Sequence, residues 1–319
     1  MTNYINENGD THLILLIISG NSKEAINIVR NGNSHPEVVN SYGDTALLLS
    51  IHYNMKDLAL VLLETRNANP SHVDNHGNSA LILSMKKNLE EVAIKIIEEY
   101  NNYNINHRDS HGDTALSISL RLGMHRVAKM LLKNSLCELY QIDKQLDTPL
   151  LIAIDMYGNY EDEIKNEYKE ISEFIIKSGK GNVSHVNKNG TTALLLSLCK
   201  DAPYLSELII ESGDSYPEYI NNYGDTALIL ALSKDYEHIC KLLVDINSKN
   251  NLIITKNNDT PLILALSKNY IYVAKKILEC GSDNIFHKNK YGDDALILAK
   301  NIGDEDIISK ILHHYHQTF

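Results

Sequence analysis

The chain has no tryptophan, only three phenylalanines, and four cysteines in 319 residues. The cysteines (Cys137, Cys199, Cys240 and Cys280) stand far apart in apolar surroundings with no C-x-x-C pair. That spacing excludes a dithiol redox motif and a zinc knuckle. It predicts buried, reduced thiols and hence an intracellular, cytoplasmic protein. Basic residues are in the minority, 30 against 41 acidic ones, for a formal net charge of −11. A phosphate-facing surface needs a basic patch, so duplex nucleic acid and anionic membrane surfaces are excluded as partners. No apolar run approaches the roughly 18 residues that span a bilayer. The opening MTNYINENGDTHL has neither a basic n-region nor an apolar h-region, so no secretory leader is expected. There is no glycine-rich phosphate loop, no H-E-x-x-H and no G-x-S-x-G. We therefore expect no catalytic residues, no metal, no cofactor and no small-molecule substrate.

What is present is self-similarity. Gly-Asp-Thr-Ala-Leu occurs at Gly43–Leu47, Gly112–Leu116 and Gly224–Leu228. Variants begin at Gly9, Gly77, Gly190 and Gly292, and Leu146 and Asn258 take the glycine place in LDTPL and NDTPL. Successive starts at 9, 43, 77, 112, 146, 190, 224, 258 and 292 are 34 or 35 residues apart, except for one step of 44. We call this glycine place the turn position.

Each unit has the same physical logic. Glycine permits a turn that a side chain would strain. The Thr two places on is a helix N-cap, and Pro149 and Pro261 fit the first helical position. A short apolar helix such as 46–51 follows, then a polar break, then a second helix such as 56–64. Gly32, Gly179, Gly213 and Gly281 fall just past second helices, where C-caps belong. Seven residues after the turn stands a small residue: Ser50, Ser84, Ser119, Ala153, Ser197, Ala231, Ala265 and Ala299. An aliphatic column follows: Leu62, Ile96, Leu131, Ile175, Ile209, Leu243, Ile277 and Ile311. Small residues allow close approach of neighbouring first helices, and the aliphatic column is a core that no single helix pair could bury alone.

Turn, helix, short break, helix and a linker ending Val-Asp or Val-Asn resemble the ankyrin repeat. The tetratricopeptide repeat shares the period but lacks this turn. The resemblance covers the whole chain, with a departure. Where the family has Thr-Pro-Leu-His, this chain has an aliphatic residue at the histidine place, as in Leu48, Ile82 and Leu195. The resemblance implies an all-α solenoid of about nine repeats with β-hairpin-like loops, one array over residues 1–319. The ten extra residues lie within 155–168, expected to form a solvated loop or helical extension. Ile171, Phe174 and Ile175 are expected to resume the buried columns of the second helix. The chain ends soon after the ninth second helix, so no appended effector domain is expected.

Function is expected on the face that is free to vary. Ankyrin proteins typically bind another protein through a concave surface of hairpin fingers and first helices. The tips just before the turn carry Tyr42, His76, His111, Asn189, Tyr223, Asn257 and Tyr291. The ends of first helices carry His52, Tyr53, Lys86, Lys87, Arg121, Lys200, Lys234 and Lys268. Tyrosine and arginine are favoured interface anchors. From these, Tyr42, His52, Tyr53, His76, Lys87, His111, Arg121, Tyr223 and Tyr291 form the candidate partner-binding set. An alternative is a host-directed adaptor that recruits one protein to another, as in the ankyrin-rich families of large DNA viruses and intracellular parasites. The row Asp10, Asp44, Asp113, Asp147, Asp225, Asp259 and Asp293 is either an acidic stripe or a set of carboxylates stabilised by helix N-termini. His72, His107, His185 and His287 recur at a repeat-wide spacing that is too long for a shared metal, which predicts a structural ladder. The tail histidines (His313, His314, His316) are expected to be exposed.

Overall fold

The computed structural model describes residues 5–32, 34–100, 104–246, 254–255, 258–280 and 285–318. They fall into two compact units, 1–156 and 157–319, each described by itself. In the first unit the helices are α1 (His12–Ile18), α2 (Ser22–Arg30), α3 (Ala46–His52), α4 (Lys56–Glu64), α5 (Ala80–Lys86) and α6 (Glu90–Glu99). There follow α7 (Ala115–Arg121), α8 (His125–Lys133) and α9 (Pro149–Tyr157), whose last residue falls in the second unit. The second unit holds α10 (Asp162–Lys177), α11 (Ala193–Cys199), α12 (Pro203–Glu211), α13 (Ala227–Ser233) and α14 (Glu237–Ile246). It ends with α15 (Pro261–Ser267), α16 (Ile271–Glu279), α17 (Ala295–Ile302) and α18 (Glu305–Thr318). Among the described residues there is no strand, only isolated antiparallel bridges such as Val39 with Thr45 and Val73 with Ser79. These close the hairpin-like loops.

The first helices are mostly seven residues long, too short to persist alone in water. Capping starts them. Thr45 Oγ1 accepts from Leu48 N at 3.2 Å, and Thr11, Ser79, Thr114, Thr148, Thr192, Thr226 and Thr260 repeat the arrangement. In the ninth repeat Asp294 caps in their place. Packing then holds them. From α1 to α8 and from α11 to α18, first helices touch their own partner and the next first helix, and second helices touch the next second helix (α3 with α4 and α5, α13 with α14 and α15). Both columns read from the sequence lie in these interfaces. The small column from Ser50 to Ala299 is fully buried throughout, and the aliphatic column from Leu62 to Ile311 is at most 3% exposed. Each buried Leu or Ile contributes about 1.5–3 kcal/mol of transfer free energy.

The turn position is left-handed in every repeat, at φ between 59° for Leu146 and 87° for Gly292. Gly32, Gly179 and Gly213 follow second helices at positive φ; Gly281 lies outside the described residues. The extra residues of the fifth repeat are mostly helical. α9 runs two residues longer than α3, and α10 begins seven residues before the place where second helices usually start. Tyr168 is fully buried and its ring stacks on Tyr160 at 5.9 Å. Two expectations are corrected. Phe174 is 43% exposed, because its column also carries Lys95 and Lys276 and is no core column. Cys199 is exposed at the end of α11, whereas Cys137 and Cys240 are buried, desolvation pushing both thiols up to about 12.

Candidate functional site

The hairpin tips are built from a column that sequence reasoning passed over. Three residues before each turn stands Asn6, Asn40, Asp74, Asp109, Asp143, Asn187, Asn221, Thr255 or Asn289. Asn40 Oδ1 accepts from Tyr42 N at 3.1 Å and from Asp44 N at 2.9 Å. Asp74, Asp109, Asp143, Asn187, Asn221 and Asn289 accept the same pair of bonds in their own repeats. This side chain satisfies two backbone donors that a bare turn would leave open. Successive tips are then tied together. His72 Nε2 donates to the Gly43 carbonyl at 2.8 Å, His107 to Gly77 and His287 to Asn258, each at 2.9 Å. Asn75 donates to the Tyr42 carbonyl at 2.6 Å and Asn222 to that of Asn189 at 2.9 Å. Where these bonds form, the histidine column is a ladder of hydrogen bonds between repeats.

On this fixed backbone the tip side chains stand out in solvent. Tyr42 is 61%, Tyr223 69% and Tyr291 75% exposed; His76, His111 and Asn189 are exposed too. Asn257 lies outside the described residues. Lys290 places its ammonium 5.0 Å from the Tyr291 ring centre. At the end of α3, His52 and Tyr53 are exposed and meet edge to face at 5.2 Å. Lys87 at the end of α5 is half-buried. In the second repeat, tips and the end of α3 converge on Asp44. Burial first, then Asp74, raises the Asp44 pKa, while His52, His76 and His72 lower it, so these side chains share one electrostatic neighbourhood. Tyr223 and Tyr291 belong to the second unit, apart from the other candidates.

The helix-end cations divide by position, which the sequence did not reveal. Nine residues after the turn stand His52, Lys86 and Arg121, and these reach the hairpins. Lys86 Nζ donates to Asn78 Oδ1 at 2.8 Å and meets the buried Asp109 at 2.7 Å. Burial opposes ionisation of Asp109, but Lys86 and the backbone N–H groups of Asp113 and His111 outweigh it and hold its pKa below the ordinary value. Arg121 pairs with the buried Asp143, lies 3.6 Å from Asp147 and 4.0 Å from Asp113. This candidate contact residue is already engaged within the chain. Ten residues after the turn stand Lys200, Lys234 and Lys268, and these reach back to the turn between the helices of the preceding repeat. Lys234 meets Asp201 at 2.5 Å, with the Tyr236 hydroxyl on the same oxygen at 2.9 Å, and Lys268 meets Asp235. Lys200 donates to Asn159 at 3.0 Å.

At that nine-residue place the second unit has Cys199, Ser233, Ser267 and Asn301, and the column that braces its tips is uncharged. Lys86 pairs with Asp109 and Arg121 with Asp143, whereas Cys199 goes with Asn221, Ser233 with Thr255 and Ser267 with Asn289. Among the described residues, no three His, Cys, Asp or Glu side chains are grouped so as to hold a metal ion, and no helix is long and apolar enough to cross a membrane.

Residues 162–253 match the family profile for ankyrin repeats, in three copies. The fold is similar to the crystal structure of an ankyrin repeat protein, with a TM-score of 0.50 and 19% identity over 62% of this chain and 95% of the other. An ankyrin repeat domain from Acinetobacter baumannii aligns with a TM-score of 0.48 and 23% identity, over 64% of this chain and 98% of that domain. No curated protein matches the sequence. Residues 162–253 thus carry ankyrin repeats, and the same capped helix pair recurs in both units in a fold similar to that of an ankyrin repeat protein.

Proposed function

We propose that the chain is a non-catalytic, intracellular scaffold that binds a partner protein through its hairpin tips and first-helix ends. Ankyrin repeats generally mediate protein–protein interaction, and one observation supports assigning the tips. Tyr42, Tyr223 and Tyr291 are the three most exposed large apolar side chains among the described residues. Each stands on a backbone pinned by two side-chain bonds, from Asn40, Asn221 or Asn289. An aromatic ring on a pre-ordered backbone loses little freedom on binding, which is what an interface anchor needs. The test is joint replacement of Tyr42, His76 and His111 by serine, with a partner recovered from cells by affinity purification. Exposed changes usually alter stability by no more than about 0.5 kcal/mol, whereas anchors cost about 2 kcal/mol or more in affinity. Melting should match the parent while affinity falls at least about tenfold. Unchanged affinity would move the site elsewhere.

The adaptor reading needs two contact surfaces. It is favoured by the different charge dressing of the units, with cations bridging the hairpins in one and neutral small residues in the other. Footprinting that finds one partner protecting both units at once would remove its basis.

A further inference from the structure

The residue nine places after the turn has two neighbours of the same kind. It lies beside the residue that follows the turn in its own repeat and beside its counterpart in the next. Lys86 bonds Asn78, and Arg121 stands between Asp113 and Asp147. Cys199 lies within the electrostatic reach of Asp225. At Lys86 and Arg121, in the first unit, the gap therefore holds a resident cation. In the second, the equivalent places are Ser233, with Asp225 and Asp259 at the equivalent neighbouring positions, and Ser267, with Asp259 and Asp293.

The apolar residue beneath that place also differs in exposure between these repeats. Six residues after the turn each first helix carries Leu or Ile, one helical turn before the nine-residue place and on the same face. Where that place is His52, Lys86 or Arg121, the residue beneath is covered: Leu49 is 7%, Leu83 7% and Ile118 6% exposed. Beneath Cys199, Ser233 and Ser267, the corresponding Leu196, Leu230 and Leu264 are partly exposed. The second unit thus presents an apolar stripe edged by carboxylates whose counterparts Asp113 and Asp147 in the first unit meet Arg121.

We infer that this stripe docks a cationic, aliphatic peptide segment of a partner protein, its lysine or arginine side chains taking the places that His52, Lys86 and Arg121 fill in the first unit. This rests on the proposed scaffold role and adds the chemistry of the bound segment. Charge complementarity commits the occupant. An acidic or purely apolar segment would leave Asp225, Asp259 and Asp293 to be desolvated without a partner, a cost that disfavours it. Stacked helices repeat at about 8–10 Å, close to three residues of extended chain at about 3.3 Å each. The segment should therefore carry cations at every third residue with aliphatic side chains between them.

The probe is a synthetic peptide with arginine at every third position and leucine among the rest, titrated against the full chain by fluorescence anisotropy. A copy with glutamate for arginine is the control. The diagnostic variant is Ser233→Lys with Ser267→Lys, which installs resident cations of the kind the first unit uses. A second variant, Asp225→Asn with Asp259→Asn and Asp293→Asn, uses the residue that repeat three already has at Asn78. Circular dichroism and melting should match the parent in both. We expect the arginine peptide to bind the parent, the glutamate peptide not to bind, and each variant to weaken binding at least about tenfold. Equal binding of both peptides, binding unaffected by the two lysines, or no binding to the parent would overturn the inference. None of these outcomes touches the Tyr42, His76 and His111 test, which samples the other unit with a partner from cells, so the two readings fail separately.

Discussion

Arg121 and Asp143 belong to successive repeats, and the chain itself suggests how to take them apart. Arg121→Ser removes the cation from a carboxylate that is 6% exposed. Asp143 keeps the Gln145 and Asp147 N–H groups, at 2.7 and 2.9 Å, so it is not stripped of all partners. Losing a hydrogen bond to a charged group costs about 1.5–3 kcal/mol. Because the Arg121 side chain is 40% exposed and water screens the pair, the lower part of that range applies, about 1–2 kcal/mol. Asp113 and Asp147 lose the same cation, so mutual repulsion adds to the loss rather than offsetting it. The compensating change is Asp143→Asn. An asparagine braces the tip as well as an aspartate does, as Asn221 shows with bonds of 2.9 and 2.8 Å, and Asn221 follows Cys199 at the matching place.

The double variant should therefore recover most of what the single one loses. Urea unfolding of the parent, both single variants and the double variant closes a cycle that isolates the coupling. A favourable coupling of about 1–2 kcal/mol is expected between Arg121 and Asp143. If Arg121→Ser costs under about 0.5 kcal/mol, or if Asp143→Asn fails to rescue it, the charge pairing across repeats is incidental.

Leu146 occupies the turn position at φ 59°, where a left-handed side-chain-bearing residue costs about 1–2 kcal/mol. Leu146→Gly, partly offset by the entropy glycine restores to the unfolded chain, should raise stability by about 0.5–1 kcal/mol, and a lower melting temperature would contradict that. Ser172 Oγ is buried without a hydrogen-bond partner at a place where α4, α6 and α8 carry Ala59, Ala93 and Ala128. Ser172→Ala should stabilise by about 1 kcal/mol, since an unsatisfied hydroxyl costs about 1–3 kcal/mol; destabilisation on thermal melting would mean that the hydroxyl is satisfied. The Asp109 pKa is held below its unfolded value, about 3.9, so its contribution is full above that pH and is lost as pH falls through the folded value. Lys86→Met should therefore destabilise by about 1 kcal/mol at pH 7, with the gap to the parent closing below about pH 4. A gap independent of pH would assign the loss to packing alone.

Much of the fold was legible because each physical requirement recurs in most or all repeats. The left-handed turn, the capping hydroxyl, the small column and the aliphatic column each demand a narrow residue class, and repetition separates them from chance. Phe174 shows the limit: helical spacing placed it beside Ile171 and Ile175, but spacing does not say how far a second helix is wrapped by its neighbours. The lysines show another. Lys86 and Lys87 are adjacent in sequence, yet the column of the first points to the hairpins and that of the second to the inter-helix turn. One residue is about 100° of helix, and no composition argument resolves it. The bracing column was missed because Asn, Asp and Thr vary there freely in charge while agreeing in one property, an oxygen placed to accept two N–H groups.

That tolerance bears on where function sits. If the bracing residue needs only an oxygen, its charge is free to be set by something else, and at Asp109 and Asp143 it is matched by the cation nine places after the preceding turn. A column can vary for two reasons, because nothing touches it or because two places vary together. Lys86 with Asp109 and Arg121 with Asp143 are the second kind, and they close their surface against solvent. Cys199 with Asn221 and Ser267 with Asn289 keep the brace while giving up the cover. Stability alone would not favour partly exposed leucines beside carboxylates, since covering them with a long cationic side chain both buries apolar area and neutralises charge. The chain has that solution at Lys86 and Arg121 and forgoes it at Cys199, Ser233 and Ser267, which is the contrast that the proposed docking surface explains.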